Sequence, residues 1–223
     1  MFTATLPEAF NRLTDDLLGK DYVTITNEER LKANNHVEQI YVYTESRKEK
    51  HEELRKIIEN YSNVKILIFV KTKDMADILS ASFEQEGIKV ESLHGGRPQD
   101  LRSKIFNNFK AGGTQIVIGT DVCGRGWDVD GLDIVVNFDM PSAKESLNDC
   151  LDTFIHRIGR TGRMKTGKAI TFIGDEDKDF VPHLIKLCQA SQQEVPEFML
   201  EMEKSFVEAG ISRTFGQPSF GRT

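Results

Sequence analysis

The segment His156–Arg163 has the residue types of a phosphate-binding element. Arg157, Arg160 and Arg163 recur every three residues, with two glycines between them. A guanidinium group can donate two parallel hydrogen bonds to phosphate, and glycine leaves room for the backbone to approach a bulky anion. A solvated basic loop is the alternative. Five lysines and arginines and no carboxylate lie between residues 156 and 168 of a chain with net charge −6, which favours phosphate binding.

Three predicted strands also end in polar residues. Thr72 follows one strand, Thr120 closes another, and a His-Gly-Gly run at 94–96 follows a third. Ligands of open α/β sheets bind at the carboxyl ends of the strands, so these positions are candidate site residues. Tight turns with capping side chains are the alternative. Asp74 and Asp77, on the helix after Thr72, are expected to lie on its solvated face.

The chain that must position these residues alternates predicted strands and helices. Apolar runs predict strands at 37–44, 65–70, 89–93, 115–120, 134–138 and 169–174. Helical patterns fall between them, near 46–60, 73–86, 98–111, 143–157 and 175–191. Continuously apolar strands are typical of a parallel sheet buried on both faces, so we expect an α/β fold with helices on both faces. A last helix is expected near 196–209.

Composition excludes several classes of protein. The chain has 223 residues, 39% of them hydrophobic, and 29 Lys and Arg against 35 Asp and Glu. This acidic balance argues against a wholly basic nucleic-acid binder, although not against a local basic patch. There is no apolar run of about 20 residues for a membrane span. Three widely spaced cysteines argue against disulfides and zinc, and an intracellular location, cytoplasmic or nuclear, is expected.

The motifs FVKT, LHGG, QDLR, GTDVCGRGWD and HRIGRTGR occur in that order. This series resembles the second RecA-like domain of a DEAD-box RNA helicase. Residues 193–198 are similar to the segment after that domain in the Vasa-like subgroup. Thr3-Ala4-Thr5 resembles the coupling motif that ends the first helicase domain. The resemblance implies four parts: a first-domain remnant at 1–26, a linker at 27–36, a RecA-like domain at 37–191, and a helix with a flexible tail at 192–223.

The resemblance also implies roles for individual residues around ATP. Arg160 and Arg163 would be arginine fingers that reach the γ-phosphate of ATP on the other domain. Asp128 would contact the ribose. The remaining residues of this group would couple the nucleotide to the interdomain contact, and they are His156, Arg157, Thr3 and Thr5.

A second group of residues would line the path of the RNA backbone. Its members follow predicted strands or begin a helix, and they are Thr72, Gly95, Arg102, Thr120 and Arg125. Phosphate and sugar contacts of this kind imply little sequence preference.

This sequence departs from the family pattern at three places. Cys123-Gly124 stands where the family usually has two alanines, and Trp127 where it usually has Leu or Ile. Fifteen positions separate Pro141 from His156, about seven more than the family pattern implies. We expect the extra residues to lengthen the following helix or to add a loop.

Two other segments resemble nucleotide-binding motifs but lack the structural context of those motifs. Residues 162–169 nearly match a P-loop, but a strand and not a helix is expected to follow, and Ala169 lacks the hydroxyl that would ligate Mg²⁺. Residues 175–178 do not have the context of the metal-binding DEAD sequence. We therefore expect ATP and Mg²⁺ to be bound mainly by a first helicase domain that would lie upstream, and this chain alone to have negligible ATPase activity.

Two alternatives to a helicase half stay open at this stage. One is a non-catalytic RNA-binding or regulatory module. The other is half of a superfamily 2 translocase that acts on DNA, although the three arginines of HRIGRTGR resemble the RNA branch. RNA and the ATP-binding RecA-like domain of the same parent protein are the expected partners. Residues 1–26, without their own sheet, could also pair with a second copy.

Overall fold

The computed structural model describes residues 36–208 except 62, 122–131, 143–145 and 164, together with residues 17 and 23. The predicted first-domain remnant and linker therefore lie almost entirely outside the described residues. The predicted tail after residue 208 lies outside them as well.

The described strands form one parallel sheet in the order β1-β6-β5-β2-β4-β3. They are β1 (Val37–Tyr43), β2 (Ile66–Phe69), β3 (Glu91–Leu93), β4 (Ile116–Gly119), β5 (Ile134–Asn137) and β6 (Gly167–Ile173). Every residue of β2, β4 and β5 is buried. The prediction of apolar strands covered on both faces is thus confirmed for the centre of the sheet.

Six α-helices are described, and three of them begin at a hydroxyl side chain. They are α1 (Arg47–Asn60), α2 (Lys73–Gln85), α3 (Gln99–Lys110), α4 (Leu147–Ile158), α5 (Val181–Ala190) and α6 (Glu197–Glu208). Ser46, Thr72 and Ser146 accept hydrogen bonds from the first turns of α1, α2 and α4. Such N-caps satisfy backbone donors that the helix leaves unpaired.

The predicted helix at 175–191 is wrong as a single element. A short 3₁₀ turn covers Asp175–Asp177, and α5 begins only at Val181, with Pro182 in its first turn. Proline favours the first turn of a helix because it has no N–H to donate. Of the residues between Pro141 and His156, those from Leu147 onward lie in α4.

Helices cover both faces of the sheet, as expected. Alternate residues of β2 point to opposite faces, since Ile66 and Ile68 pack with α1 and α2 while Leu67 and Phe69 pack with α3. The side chains of β1 and β6 on the α3 face pack with α4, α5 and α6. Among the described residues, no helix has both the length and the apolar character needed to cross a membrane.

Candidate functional site

Three of the predicted RNA-contacting residues lie at the carboxyl edge of the sheet. Thr72, Gly95 and Thr120 follow β2, β3 and β4, which are neighbours in the order β2-β4-β3. Thr72 Oγ1 accepts a hydrogen bond from the Met75 amide at 3.1 Å. The Thr120 amide donates to the Leu93 carbonyl at 3.3 Å, which joins the ends of β4 and β3. The fold therefore brings together residues that are 48 positions apart in the chain (72 to 120).

Arg102 lies in the first turn of α3, the helix that follows β3 and the turn at residues 94–97. Its Nη2 donates to Gln99 Oε1 on the same helix face. Its Nε has no hydrogen-bond partner among the described residues. The side chain is half-buried beside the turn that follows β3.

The turn after β3 is held by a buried histidine and a carboxylate. His94 Nε2 lies 3.1 Å from Asp77 Oδ1, and His94 Nδ1 accepts from the Gly96 amide at 3.2 Å. Ser92 Oγ and Arg97 Nη2 also donate to Asp77 Oδ1, at 2.5 and 2.8 Å. Partial burial raises the pKa of Asp77, but the hydrogen bonds from Ser92 and His94 and the charge of Arg97 outweigh it and lower the pKa below its ordinary value. Asp77 is exposed, as predicted, with 47% of its side chain accessible, but its hydrogen bonds to β3 and the following turn were not predicted.

Arg157 is the buried member of the arginine series and is 2% exposed. Its Nε and Nη2 donate to the two carboxylate oxygens of Asp121 at 2.5 and 2.9 Å. Its Nη1 donates to the Asp139 carbonyl at 2.7 Å and lies 3.4 Å from Asn137 Oδ1. The guanidinium also lies 4.9 Å from the Phe69 ring centroid, a favourable cation–π distance. One side chain of α4 thus contacts residues at the ends of β2, β4 and β5.

Asp139 extends this contact network to α1 and, through Lys50, to the 3₁₀ turn after β6. Its Oδ2 accepts from the Lys71 amide at 2.9 Å, directly before Thr72. Buried Lys50 lies 4.0 Å from Asp139 Oδ1 and donates to Glu176 Oε1 at 3.2 Å. Asp139 is not among the residues predicted from the sequence, although its position just after a strand is a signal that could have identified it.

The turn after α4 packs against the amino ends of the strands. Thr161 Oγ1 donates to the carbonyl of Leu132, just before β5, at 2.7 Å. Gly162 has φ +75°, and a Cβ there would lie 2.4 Å from Val37 Cγ2 and 3.1 Å from the His36 carbonyl oxygen. Glycine at 162 is therefore required by backbone conformation and packing, whereas its place in the arginine series had suggested the approach of an anion.

Arg160 and Arg163 lie on this same turn, and His156 is exposed beside them. Arg160 Nε donates to the His156 carbonyl at 3.2 Å, and Arg163 Nε donates to the Gly159 carbonyl at 3.3 Å. The Nε atom of each arginine is thus held by a backbone carbonyl at or just after the end of α4. The turn carrying both side chains lies away from the carboxyl edge that carries Thr72 and Thr120.

Four predicted site residues lie outside the described residues. They are Asp128 and Arg125, in the segment that follows Asp121, and Thr3 and Thr5 near the amino terminus. The residues that nearly match a P-loop, 162–169, overlap the start of β6 at Gly167. A strand and not a helix therefore follows this segment, as predicted. Within the described ranges, no cluster of His, Cys, Asp and Glu side chains could hold a metal ion.

Comparison with known proteins places this arrangement in a family. The family described as helicase conserved C-terminal domain matches residues 49–165. The mouse ATP-dependent RNA helicase DDX4 is 33% identical over 99% of this chain and 29% of its own length. DEAD-box ATP-dependent RNA helicase 14 of Arabidopsis thaliana is 34% identical over 100% of this chain and 35% of its own length. The chain spans about a third of the length of these relatives.

Solved structures give the same assignment. Saccharomyces cerevisiae Dbp5 bound to RNA and ADP BeF3 aligns with a TM-score of 0.72 and 25% identity, over 93% of this chain and 54% of that chain. A DEAD box protein from Methanococcus jannaschii aligns with a TM-score of 0.60 and 31% identity, over 86% of this chain and 49% of that chain. The family match, these relatives and the parallel α/β fold show that this chain belongs to the DEAD-box RNA helicases and carries their helicase C-terminal domain.

Proposed function

We propose that this chain is the C-terminal half of an ATP-dependent RNA helicase. In that role it supplies arginine fingers and part of an RNA-binding surface. ATP and Mg²⁺ would be held mainly by a second, ATP-binding RecA-like domain of the parent protein. Closure of the two domains on ATP and RNA would assemble the complete site and separate short duplexes.

The observation that carries the RNA-binding role is the shared edge of β2, β4 and β3. Backbone amides and hydroxyls there, at Thr72, Gly95 and Thr120, are suited to phosphate and sugar oxygens. Arg102 adds a positive charge from α3, and Arg125 would add another from the segment after β4. Dbp5, whose structure aligns with this chain, is bound to RNA in that structure, which supports the proposal.

The nucleotide role rests on the turn after α4. Arg160 and Arg163 belong to a turn whose backbone is held by the Thr161 hydrogen bond and by the close packing of Gly162. The Cα atoms of both arginines therefore have defined positions. We assign both as fingers that stabilise charge on the transferred phosphoryl group. His156 and Arg157 would couple the nucleotide to the domain contact, together with Thr3 and Thr5, and Asp128 would contact the ribose.

In this proposal the chain has the same four parts that its sequence predicts. Residues 1–26 belong to the preceding domain, 27–36 to a linker, 37–191 to the RecA-like domain, and 192–223 to a terminal helix and tail. Residues 1–26 would dock on the preceding domain in the parent protein. In this chain alone they could pair with a second copy, which light scattering would detect as a dimer.

Steady-state ATP hydrolysis with and without single-stranded RNA tests the proposal. We expect no turnover from this chain alone and RNA-stimulated turnover after an ATP-binding RecA-like domain of the family is fused ahead of it. RNA-stimulated turnover by the chain alone would overturn the division of labour. In the fused protein, Arg160→Ala should reduce hydrolysis far more than RNA binding. Equal loss of both activities would exclude a finger role and favour a non-catalytic RNA-binding module.

A further inference from the structure

We propose that Asp77 is a positioning residue for RNA binding, because it holds the turn at residues 94–97 that carries Gly95. This inference rests on the proposed RNA-binding role of the carboxyl edge. Asp77 itself lies on α2, so it would act through the turn and not through contact with RNA.

Three donors converge on one oxygen of Asp77. Asp77 Oδ1 accepts from Ser92 Oγ at 2.5 Å, from Arg97 Nη2 at 2.8 Å and from His94 Nε2 at 3.1 Å. These donors come from β3 and from the turn that follows it, 15 to 20 residues away in the chain. The carboxylate therefore ties α2 to the end of β3.

Asp77 also selects the proton position on His94. The buried imidazole accepts the Gly96 amide at Nδ1, so its proton must be on Nε2, where it is donated to Asp77. A Cβ at Gly96 would lie 3.1 Å from His94 Nδ1, so the turn packs directly on the ring. The backbone at 95 and 96 is thus positioned by the ring, and the ring by the carboxylate.

The negative charge of Asp77 affects RNA affinity in the opposite direction from a positioning role. A carboxylate beside a path for RNA phosphates repels RNA, so removing its charge alone should strengthen binding. A positioning role has the opposite effect, because a disordered turn loses its contacts to the backbone of RNA. The direction of the change in affinity therefore separates the two roles.

The test compares Asp77→Asn with a matched control, Asp74→Asn. Both variants remove one negative charge from α2, and Asp74 is exposed in the first turn of that helix. In Asp77→Asn an amide N–H replaces the Oδ2 that lies 3.2 Å from His94 Nε2, so two donors face each other. A fluorescent single-stranded oligouridylate, titrated by anisotropy against the full chain, reports affinity. We expect about tenfold weaker binding for Asp77→Asn, the loss of one charge-assisted network, and unchanged or tighter binding for Asp74→Asn.

The proton position on His94 provides an RNA-independent measurement. Nitrogen-15 shifts of the imidazole should show a proton on Nε2 in the wild type, and loss of that state or of the Gly96 amide shift in Asp77→Asn. If Asp77→Asn unfolds, Ser92→Ala removes one donor without altering charge and should weaken RNA binding by about threefold. Equal or tighter RNA binding by a folded Asp77→Asn, or an unchanged imidazole, would overturn the inference.

The two measurements also separate this inference from the proposed function. If the wild type does not bind the oligouridylate while the imidazole responds to Asp77→Asn, the RNA-binding role fails and Asp77 only stabilises the turn. If the wild type binds and Asp77→Asn binds equally well, only the positioning role fails.

Discussion

Arg157 shows how one residue of a predicted site can have a structural role that its sequence motif does not reveal. The sequence places it in a series of three phosphate-binding arginines. In the structure its guanidinium is buried, and its donors are directed to Asp121 and to the Asp139 carbonyl. Because Asp121 immediately precedes the segment with Arg125 and Asp128, Arg157 anchors the start of that segment. We therefore expect its substitution to affect stability before any effect on the nucleotide is measured.

Arg157→Lys should destabilise the chain by about 2 kcal/mol, although it keeps the positive charge. An ammonium group cannot reproduce the paired bonds to both Asp121 oxygens, and it leaves the buried Asn137 Oδ1 and the Asp139 carbonyl without their donor. Urea unfolding followed by circular dichroism measures the change. Arg55→Lys is the control, since Arg55 is exposed and pairs with Glu59 one turn away, and it should cost less than about 0.5 kcal/mol. Equal stability of both variants would contradict this role for Arg157.

At the scale of the elements, the Thr72 hydroxyl at the start of α2 has two roles. It caps the helix, and it is proposed to contact RNA. Thr72 Oγ1 accepts the Met75 amide, so its lone pair caps the helix while its proton can be donated outward. The RNA-binding edge is thus built partly from the cap that starts α2. Substitutions at Thr72 can separate these two uses.

Three substitutions at Thr72 have distinct expected outcomes. Thr72→Ser should retain stability and RNA binding, and Thr72→Ala should lose about 1 kcal/mol of stability together with RNA affinity. Thr72→Asp should keep stability within about 0.5 kcal/mol, because aspartate is a good N-cap, but should weaken RNA binding by repulsion of phosphate. Thermal unfolding and anisotropy titrations measure the two properties. Wild-type affinity of Thr72→Asp would place Thr72 off the RNA path.

The sequence predicts the elements well where the signal is local. The apolar runs of β2, β4 and β5 predict buried strands because each is covered on both faces. The split of 175–191 was missed, although Pro182 indicates a helix start near Val181. The Asp77 cluster could not be predicted, because its partners on β3 and the following turn meet it only after α2 packs on the sheet. Long-range pairing of single side chains leaves no periodic pattern.

At the scale of the whole molecule, the net charge of −6 limits how strongly RNA can be held. The proposed RNA path includes two arginines, Arg102 and Arg125, and otherwise neutral groups. Binding should therefore depend weakly on salt, unlike that of a protein with a broad basic surface.

The slope of log affinity against log salt concentration should be about −1.4 for single-stranded RNA. Two phosphates are neutralised, and each contributes about −0.7 to the slope. Anisotropy titrations over a series of salt concentrations measure it. Arg102→Gln should make the slope less steep by about 0.7. A wild-type slope steeper than about −4 would require a basic surface that the proposed path does not include.

The pairing of β1 with β6 has a consequence for biosynthesis. Glu38 of β1 lies opposite Lys168 of β6, 130 residues later in the chain. At about 5 to 20 residues per second, the ribosome needs roughly 6 to 26 s after synthesising β1 to synthesise β6, the strand that pairs with it. During that interval Val37 and Tyr41, both buried in the finished domain, are exposed on the nascent chain. Chaperones that bind emerging apolar segments therefore have this interval in which to act.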